Sequence, residues 1–121
     1  MTNRKLVGNN AEKRRITEIL HGLGYSENLR GTQYLREAVL FYQPYMRLTK
    51  FLYPEVAKRC GTTSARFERC IRHATDRAFG TCTDYEFQAQ IFGALSDTGE
   101  VPTVGQAVSF IWLAVVDGVG E

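Results

Sequence analysis

Residues 61–79 read GTTSARFERCIRHATDRAF, and they place four arginines among apolar residues that recur at helical spacing. At about 100° per residue, one stripe of this segment holds Phe67, Cys70, Ile71, Ala74 and Ala78. Arg69 and Arg72 point to the opposite side, while Arg66, Glu68 and His73 lie on its flanks. The pattern predicts a helix over 64–79 with one face in the core and a basic face outward.

The residues before this helix form a second short pattern. Val56, Ala57 and Cys60 indicate a helix over about 53–60, with Pro54 in its first turn and Gly61 closing it. Two helices joined by one glycine turn are typical of a helix-turn-helix, here over about 53–79. Antiparallel helix pairs with a glycine turn are also common, so a purely structural pair is the alternative.

The remaining chain is also helical in pattern. Apolar residues at helical spacing predict helices around 16–23 and 35–42, and capping boxes at Thr83–Glu86 and Thr103–Gln106 predict two more. Residues 93–102, GALSDTGEVP, stand out as the clear loop. The fold class is therefore predicted to be all-α: a compact six-helix, winged-helix-like domain over 12–121, preceded by a flexible lead-in over 1–11.

Charge is distributed unevenly along the 121 residues, although the formal net charge is only +2. Residues 47–77 carry eight lysines and arginines against three acids, whereas residues 78–121 carry six acids and neither lysine nor arginine. This asymmetry favours one face built for a polyanion, with drift of surface charge as the alternative.

Several classes are disfavoured by what the sequence lacks. The longest apolar run, AVSFIWLAVV at 107–116, is about half of the roughly 20 residues that span a bilayer. There is no signal-peptide pattern, and three unpaired cysteines indicate reduced thiols, mostly buried, in a cytoplasmic protein. No motif of a nucleophilic, phosphate-binding or metal-dependent enzyme occurs, so we expect no catalysis, no cofactor and no metal.

The outward side chains of the 64–79 helix suit double-stranded DNA. Arginine bonds O6 and N7 of guanine in a bidentate manner, and glutamate accepts from the amino group of cytosine. Arg66, Glu68, Arg69 and Arg72 form a set that could read a G·C-containing element in the major groove. The Gly-Thr-Thr-Ser segment offers hydroxyls and backbone N–H groups to a phosphate, and His73 is a helix-packing or phosphate-contacting residue.

Residues 48–79, LTKFLYPEVAKRCGTTSARFERCIRHATDRAF, closely resemble the C-terminal DNA-binding effector domain of the stage-zero sporulation response regulator family. The likeness extends through GTQYLREAV and the last two helices, over about 12–117. It implies a six-helix transcription factor domain, with base-reading roles at Arg66, Glu68, Arg69 and Arg72. It implies backbone contacts at Lys58, Thr62, Thr63 and Ser64, and a contact of about 80–93 with the RNA polymerase sigma factor.

The resemblance also implies tandem dimers on adjacent DNA boxes, with contacts that involve the last helix. In that helix Val104, Val108, Ile111 and Val115 share a stripe, whereas Leu113 points the opposite way and Phe110 lies off it. We therefore predict self-association through Phe110 and Leu113. The 121 residues leave no room for the receiver domain that family members usually carry, and the lead-in favours a stand-alone protein over an excised domain. A protein-interaction module that keeps the fold without specific DNA binding is the remaining alternative.

Overall fold

A computed structural model describes residues 6–118, which contain six α-helices and no strand. The helices are α1 (Asn10–Gly22), α2 (Arg30–Phe41), α3 (Tyr53–Arg59), α4 (Ser64–Thr81), α5 (Tyr85–Phe92) and α6 (Val104–Asp117). The all-α, six-helix prediction is confirmed. Because residues 6–118 hold no strand, the winged-helix likeness is limited to the helix-turn-helix, and α5 follows α4 in place of a β wing.

The sequence predicted a flexible lead-in over 1–11, but α1 already begins at Asn10. Asn9 caps α1 by accepting from the backbone N–H of Glu12, and the Glu12 carboxylate accepts in return from the backbone of Gly8 and Asn9. Leu6 is buried in the core. Residues 6–11 are therefore part of the folded domain, and residues 1–5 of the predicted lead-in lie outside the described residues.

Helix α2 lies at the centre of the domain, where it packs against α1, α3, α4 and α6. Its buried face includes Leu35, Ala38 and Val39, which are spaced by three or four residues and so face one side. Gly31 lets α2 cross α4 closely, because a Cβ there would overlap the carbonyl oxygen of Cys70. The close packing of α2 against α4 therefore fixes the position of α4 on its core side.

Two short segments depart from regular α-helix. A π-helical turn, Leu48–Leu52, precedes α3, and the backbone N–H of Leu52 donates to the carbonyl of Arg47 over 3.0 Å. A 3₁₀ segment, Gly93–Thr98, follows α5, so the predicted loop over 93–102 is helical in its first six residues. Gly99, in the left-handed conformation, ends it.

The two predicted capping boxes have different outcomes. Thr103 and Gln106 form the predicted box at the start of α6. At α5 the predicted cap is wrong by one residue, because the side chain of Asp84, not of Thr83, accepts from the backbone N–H of Phe87 over 3.0 Å.

Helix α6 is buried more widely than its single stripe predicted. Of the predicted stripe, Val104, Val108 and Ile111 are buried and Val115 is half-buried. The helix also buries Ala107, Trp112 and Ala114. Leu113 remains 46% exposed.

Of the three cysteines, which are all free thiols, Cys82 is buried and the other two are half-buried. No helix in the described part of the chain is both long enough and apolar enough to cross a bilayer.

Candidate nucleic-acid interface

The turn between α3 and α4 is held by backbone hydrogen bonds and one glycine. The N–H of Gly61 donates to the carbonyl of Lys58 over 3.1 Å, and that of Thr62 donates to Ala57 over 2.9 Å. Gly61 has φ +73°, a conformation that L side chains rarely adopt, and nothing lies within 4 Å of a Cβ built there. Glycine is therefore needed for backbone conformation, not for space.

Helix α4 begins at a side-chain cap. Thr63 is extended, at φ −89° and ψ 158°, and its hydroxyl oxygen accepts from the backbone N–H of Arg66 over 3.2 Å. The hydroxyl proton of Thr63 stays available for another acceptor, because accepting a bond does not use it. The N-terminus of α4 is thus well defined and exposed beside a residue that can still donate.

The predicted core face of α4 is confirmed. Phe67, Ile71, Ala74 and Ala78 are fully buried, and Cys70 is half-buried. The Phe67 ring stacks on Tyr34 of α2 at 5.3 Å between centroids, and it lies 6.1 Å from the ring of Tyr53 in α3. These contacts fix the rotation of α4, so the opposite side of the helix must face outward.

That outward side carries cations that have no acidic partner. Arg66, Arg69 and Arg72 are exposed, and no ion pair joins any of them to an acid among residues 6–118. By contrast, Arg36 donates to the Glu27 carboxylate over 2.8 Å and lowers the pKa of that carboxyl. The arginines of α4 therefore keep their charge uncompensated at the surface.

The four residues predicted to read bases do not share one environment. Glu68 is half-buried on the side of Tyr53, whose pKa is raised to about 12 chiefly by burial and further by the Glu68 carboxylate, while Arg72 opposes the rise. Arg66 instead faces α2, where it lines a cleft with Tyr34. Glu68 and Arg72 therefore belong to the edge near α3, and Arg66 to the edge near α2.

The predicted phosphate contacts also differ in how they are presented. Lys58, Thr63 and His73 are exposed, and Ser64 is half-buried. The Thr62 hydroxyl oxygen is buried without a hydrogen-bond partner in the described part of the chain. The backbone N–H of Thr62 already donates to the carbonyl of Ala57. Thr62 therefore offers no group to a phosphate unless its side chain rotates.

One basic residue near α4 was missed from the sequence. Arg30, the first residue of α2, is exposed and lines the same cleft of about 300 Å³ as Arg66. The apolar periodicity around GTQYLREAV gives no sign of this neighbourhood, because only the tertiary crossing of α2 over α4 creates it. The glycine at 31 was the available signal, since glycine within a helix often marks a close approach.

The surface after α4 has the opposite character. Asp84, Tyr85 and Glu86 are all exposed at the start of α5, and Tyr85 is 70% exposed.

No group of three or more histidine, cysteine or acidic side chains within residues 6–118 is arranged to hold a metal ion.

The sequence of this helical domain also matches the model of a known protein family. The model of the family described as Sporulation initiation factor Spo0A C terminal matches residues 16–114. The chain belongs to this family. The match covers most of the chain and includes every residue named above on α2, α3 and α4. The family consists of DNA-binding regulatory domains of transcription and is not a family of enzymes.

Proposed function

We propose that this domain regulates transcription by binding a G·C-containing element of double-stranded DNA, with α4 in the major groove. The observation that carries the proposal is that Arg66, Arg69 and Arg72 are exposed and pair with no acid among residues 6–118, on a helix whose opposite face is fixed in the core by Phe67. A helix-turn-helix inserts its second helix with the N-terminal residues against base edges. Because such a regulator works on the chromosome, we expect it in the cytoplasm.

The proposed base contacts follow the position of each side chain. Arg69 lies opposite Phe67 on the helix, so it is proposed to reach a guanine edge through two parallel hydrogen bonds. Arg72 and Arg66 flank it on either side and are proposed to read neighbouring base pairs. Glu68, although half-buried, is proposed to accept from a cytosine amino group.

The proposed phosphate contacts position the helix without reading sequence. Lys58 and His73 supply exposed side chains, and Thr63 and Ser64 supply hydroxyls at the start of α4. Thr62 contributes only after rotation of its side chain. These contacts account for the salt-dependent part of the affinity.

Two protein partners complete the proposal. The acidic segment 80–93 exposes carboxylates beside Tyr85 and is proposed to contact the RNA polymerase sigma factor. Leu113, exposed on α6, is proposed to contribute to a homodimer on tandem boxes. Phe110 contributes less than expected from the sequence, because it is half-buried with its ring 5.7 Å from that of Phe92.

The proposal is tested by selecting duplexes from a random pool and then measuring affinity against salt concentration. Arg69→Ala should weaken the selected site by about 1–3 kcal/mol and relax its base preference. Lys58→Ala should weaken selected and random duplexes alike, with a shallower salt dependence. Arg14→Ala, at an exposed position on α1, is the matched control and should change neither.

An Arg69→Ala protein with unchanged base preference would show that Arg69 does not read sequence. If the unsubstituted domain bound no duplex at any salt concentration, the protein-interaction module would be the better description. The uncompensated arginines disfavour that alternative, since a lost DNA interface has no need to keep unpaired charge.

A further inference from the structure

We infer that Arg30 binds a DNA phosphate at the cleft on the edge of α4 that faces α2, where the charge of Arg66 adds to the attraction while Arg66 itself reads a base. This inference rests on the proposed DNA binding and adds a contact to it. Neither Arg30 nor the N-terminus of α2 belongs to the helix-turn-helix, so the site would extend the interface to a third helix.

The cleft between the two helices suits an anion. Its volume is about 300 Å³, and it is lined by Arg30, Tyr34, Gly61, Thr62, Arg66 and Cys70. None of these six residues is acidic. Neither arginine pairs with an acid in the described part of the chain. Two guanidinium groups at one small opening create a positive potential that attracts an external anion.

The start of α2 strengthens this potential. No side chain caps α2 at Leu29, and no acid lies in its first turn. The uncompensated N–H groups of a helix start add a partial positive charge that falls off within the first turn, which is where Arg30 lies. The twelve-residue helix therefore directs its positive end towards the same opening as the arginines.

The location points to a phosphate of the duplex backbone. When a helix lies in the major groove, the two phosphate backbones run along the flanks of that helix. Arg66 and Cys70 form the flank of α4 that faces α2, and the exposed Arg30 lines the same cleft. A backbone following this flank passes the opening of the cleft.

The test begins with the DNA element selected by the unsubstituted chain and measures affinity against salt. Arg30→Ala should make the salt dependence shallower by about 0.9 in log–log slope, the value for one phosphate on B-DNA. Base preference should stay unchanged. Arg30→Lys should keep most of the slope, because it keeps the charge, and Arg14→Ala should keep all of it.

Single neutral methylphosphonate linkages then locate the phosphate. One linkage should weaken binding by the unsubstituted chain but have no further effect on Arg30→Ala, while the other sensitive linkages weaken both. Identical linkage profiles and equal salt slopes for the two proteins would overturn the site. If Arg69→Ala still lost affinity in that case, the proposed function would stand without it.

Titration with inorganic phosphate distinguishes a DNA phosphate from a free anion. Amide shifts at Gly61 and Thr62 on adding millimolar phosphate, combined with an Arg30→Ala salt slope equal to that of the unsubstituted chain, would assign the cleft to a free anion and refute the DNA contact. A reduced salt slope for Arg30→Ala supports the DNA contact whether or not free phosphate also binds.

Discussion

Phe67 is the residue on which the orientation of α4 depends. Its ring is fully buried between Tyr34 and Tyr53. Phe67→Ala removes both ring contacts and leaves a cavity, so we expect a loss of about 3–5 kcal/mol in the free energy of unfolding. Phe51→Ala, at a phenylalanine that is 46% exposed, is the control and should cost much less. Equal urea midpoints for the two variants would show that α4 is held in some other way.

Tyr53 makes the stability of the domain sensitive to alkaline pH. Burial, and then the neighbouring Glu68 carboxylate, raise its pKa from 10.0 to about 12. The folded state therefore holds the phenolic proton over a range where the unfolded state has lost it, and folding stability should fall as pH rises from about 10 to about 12. Tyr53→Phe should flatten this fall in urea unfolding curves.

Tyr25→Phe provides the comparison for Tyr53→Phe. Burial also raises the pKa of Tyr25, but its hydroxyl is bonded to that of Thr75 over 2.9 Å. Tyr25→Phe should therefore cost about 1 kcal/mol already at neutral pH, where Tyr53→Phe loses no hydrogen bond found in the structure. If the folding stability of Tyr53→Phe fell with rising alkaline pH as steeply as that of the unsubstituted chain, the assignment to Tyr53 would be contradicted.

At the scale of elements, two glycines near α4 have opposite roles. Gly61 needs a left-handed backbone, whereas Gly80 lies within the helix, and neither has an atom within 4 Å of a built Cβ. Gly61→Ala should destabilise the domain by about 1–2 kcal/mol through backbone strain. Gly80→Ala should stabilise it by about 0.5–1 kcal/mol, because alanine loses less conformational freedom in a helix. Thermal unfolding of both variants checks the signs, and a shift in the same direction would refute the argument.

The helices themselves were largely predictable from sequence, because apolar spacing and caps are local. The core stripe of α4 and the Thr103–Gln106 box follow from such signals and are confirmed. The cap of α5 was not resolved, because Thr83 and Asp84 are adjacent and both can accept from a helix N–H. The π-helical turn at Leu48–Leu52 was also missed, because one turn with i→i+5 bonds, from Leu52 to Arg47 and from Tyr53 to Leu48, leaves no periodic trace.

The candidate site was only half predictable, because it combines one helix with its tertiary neighbours. The exposure of Arg69 and Arg72 follows from helical periodicity alone. The half-burial of Glu68 beside Tyr53 depends on how α3 packs, and the position of Arg30 depends on the crossing at Gly31. Sequence periodicity gives the direction of a side chain on its own helix, but not what lies opposite it.

At the scale of the whole molecule, the charges are unevenly divided along the chain. The lysine and arginines of α3 and α4 all lie before residue 78, and the chain from there on has acids but neither lysine nor arginine. We therefore expect a duplex to be attracted to the basic region of α3 and α4 and repelled by the acidic segment, so that the domain is oriented before contact. We also expect the acidic segment to stay available to a second protein while DNA is bound.

Leu113 on α6 is an exposed apolar residue through which we expect two copies of the domain to meet. Most of α6 is buried, yet this leucine is 46% exposed at the outer side of the helix. We expect weak self-association through it that strengthens when a duplex with two adjacent boxes holds two copies together, because tethering raises their effective concentration. Leu113→Glu should abolish cooperative filling of the two boxes in sedimentation measurements while leaving affinity for a single box unchanged. Val7→Glu adds the same charge at a residue that is 76% exposed and should leave cooperativity intact. Independent filling by the unsubstituted chain, with no effect of Leu113→Glu, would leave α6 as a core helix only.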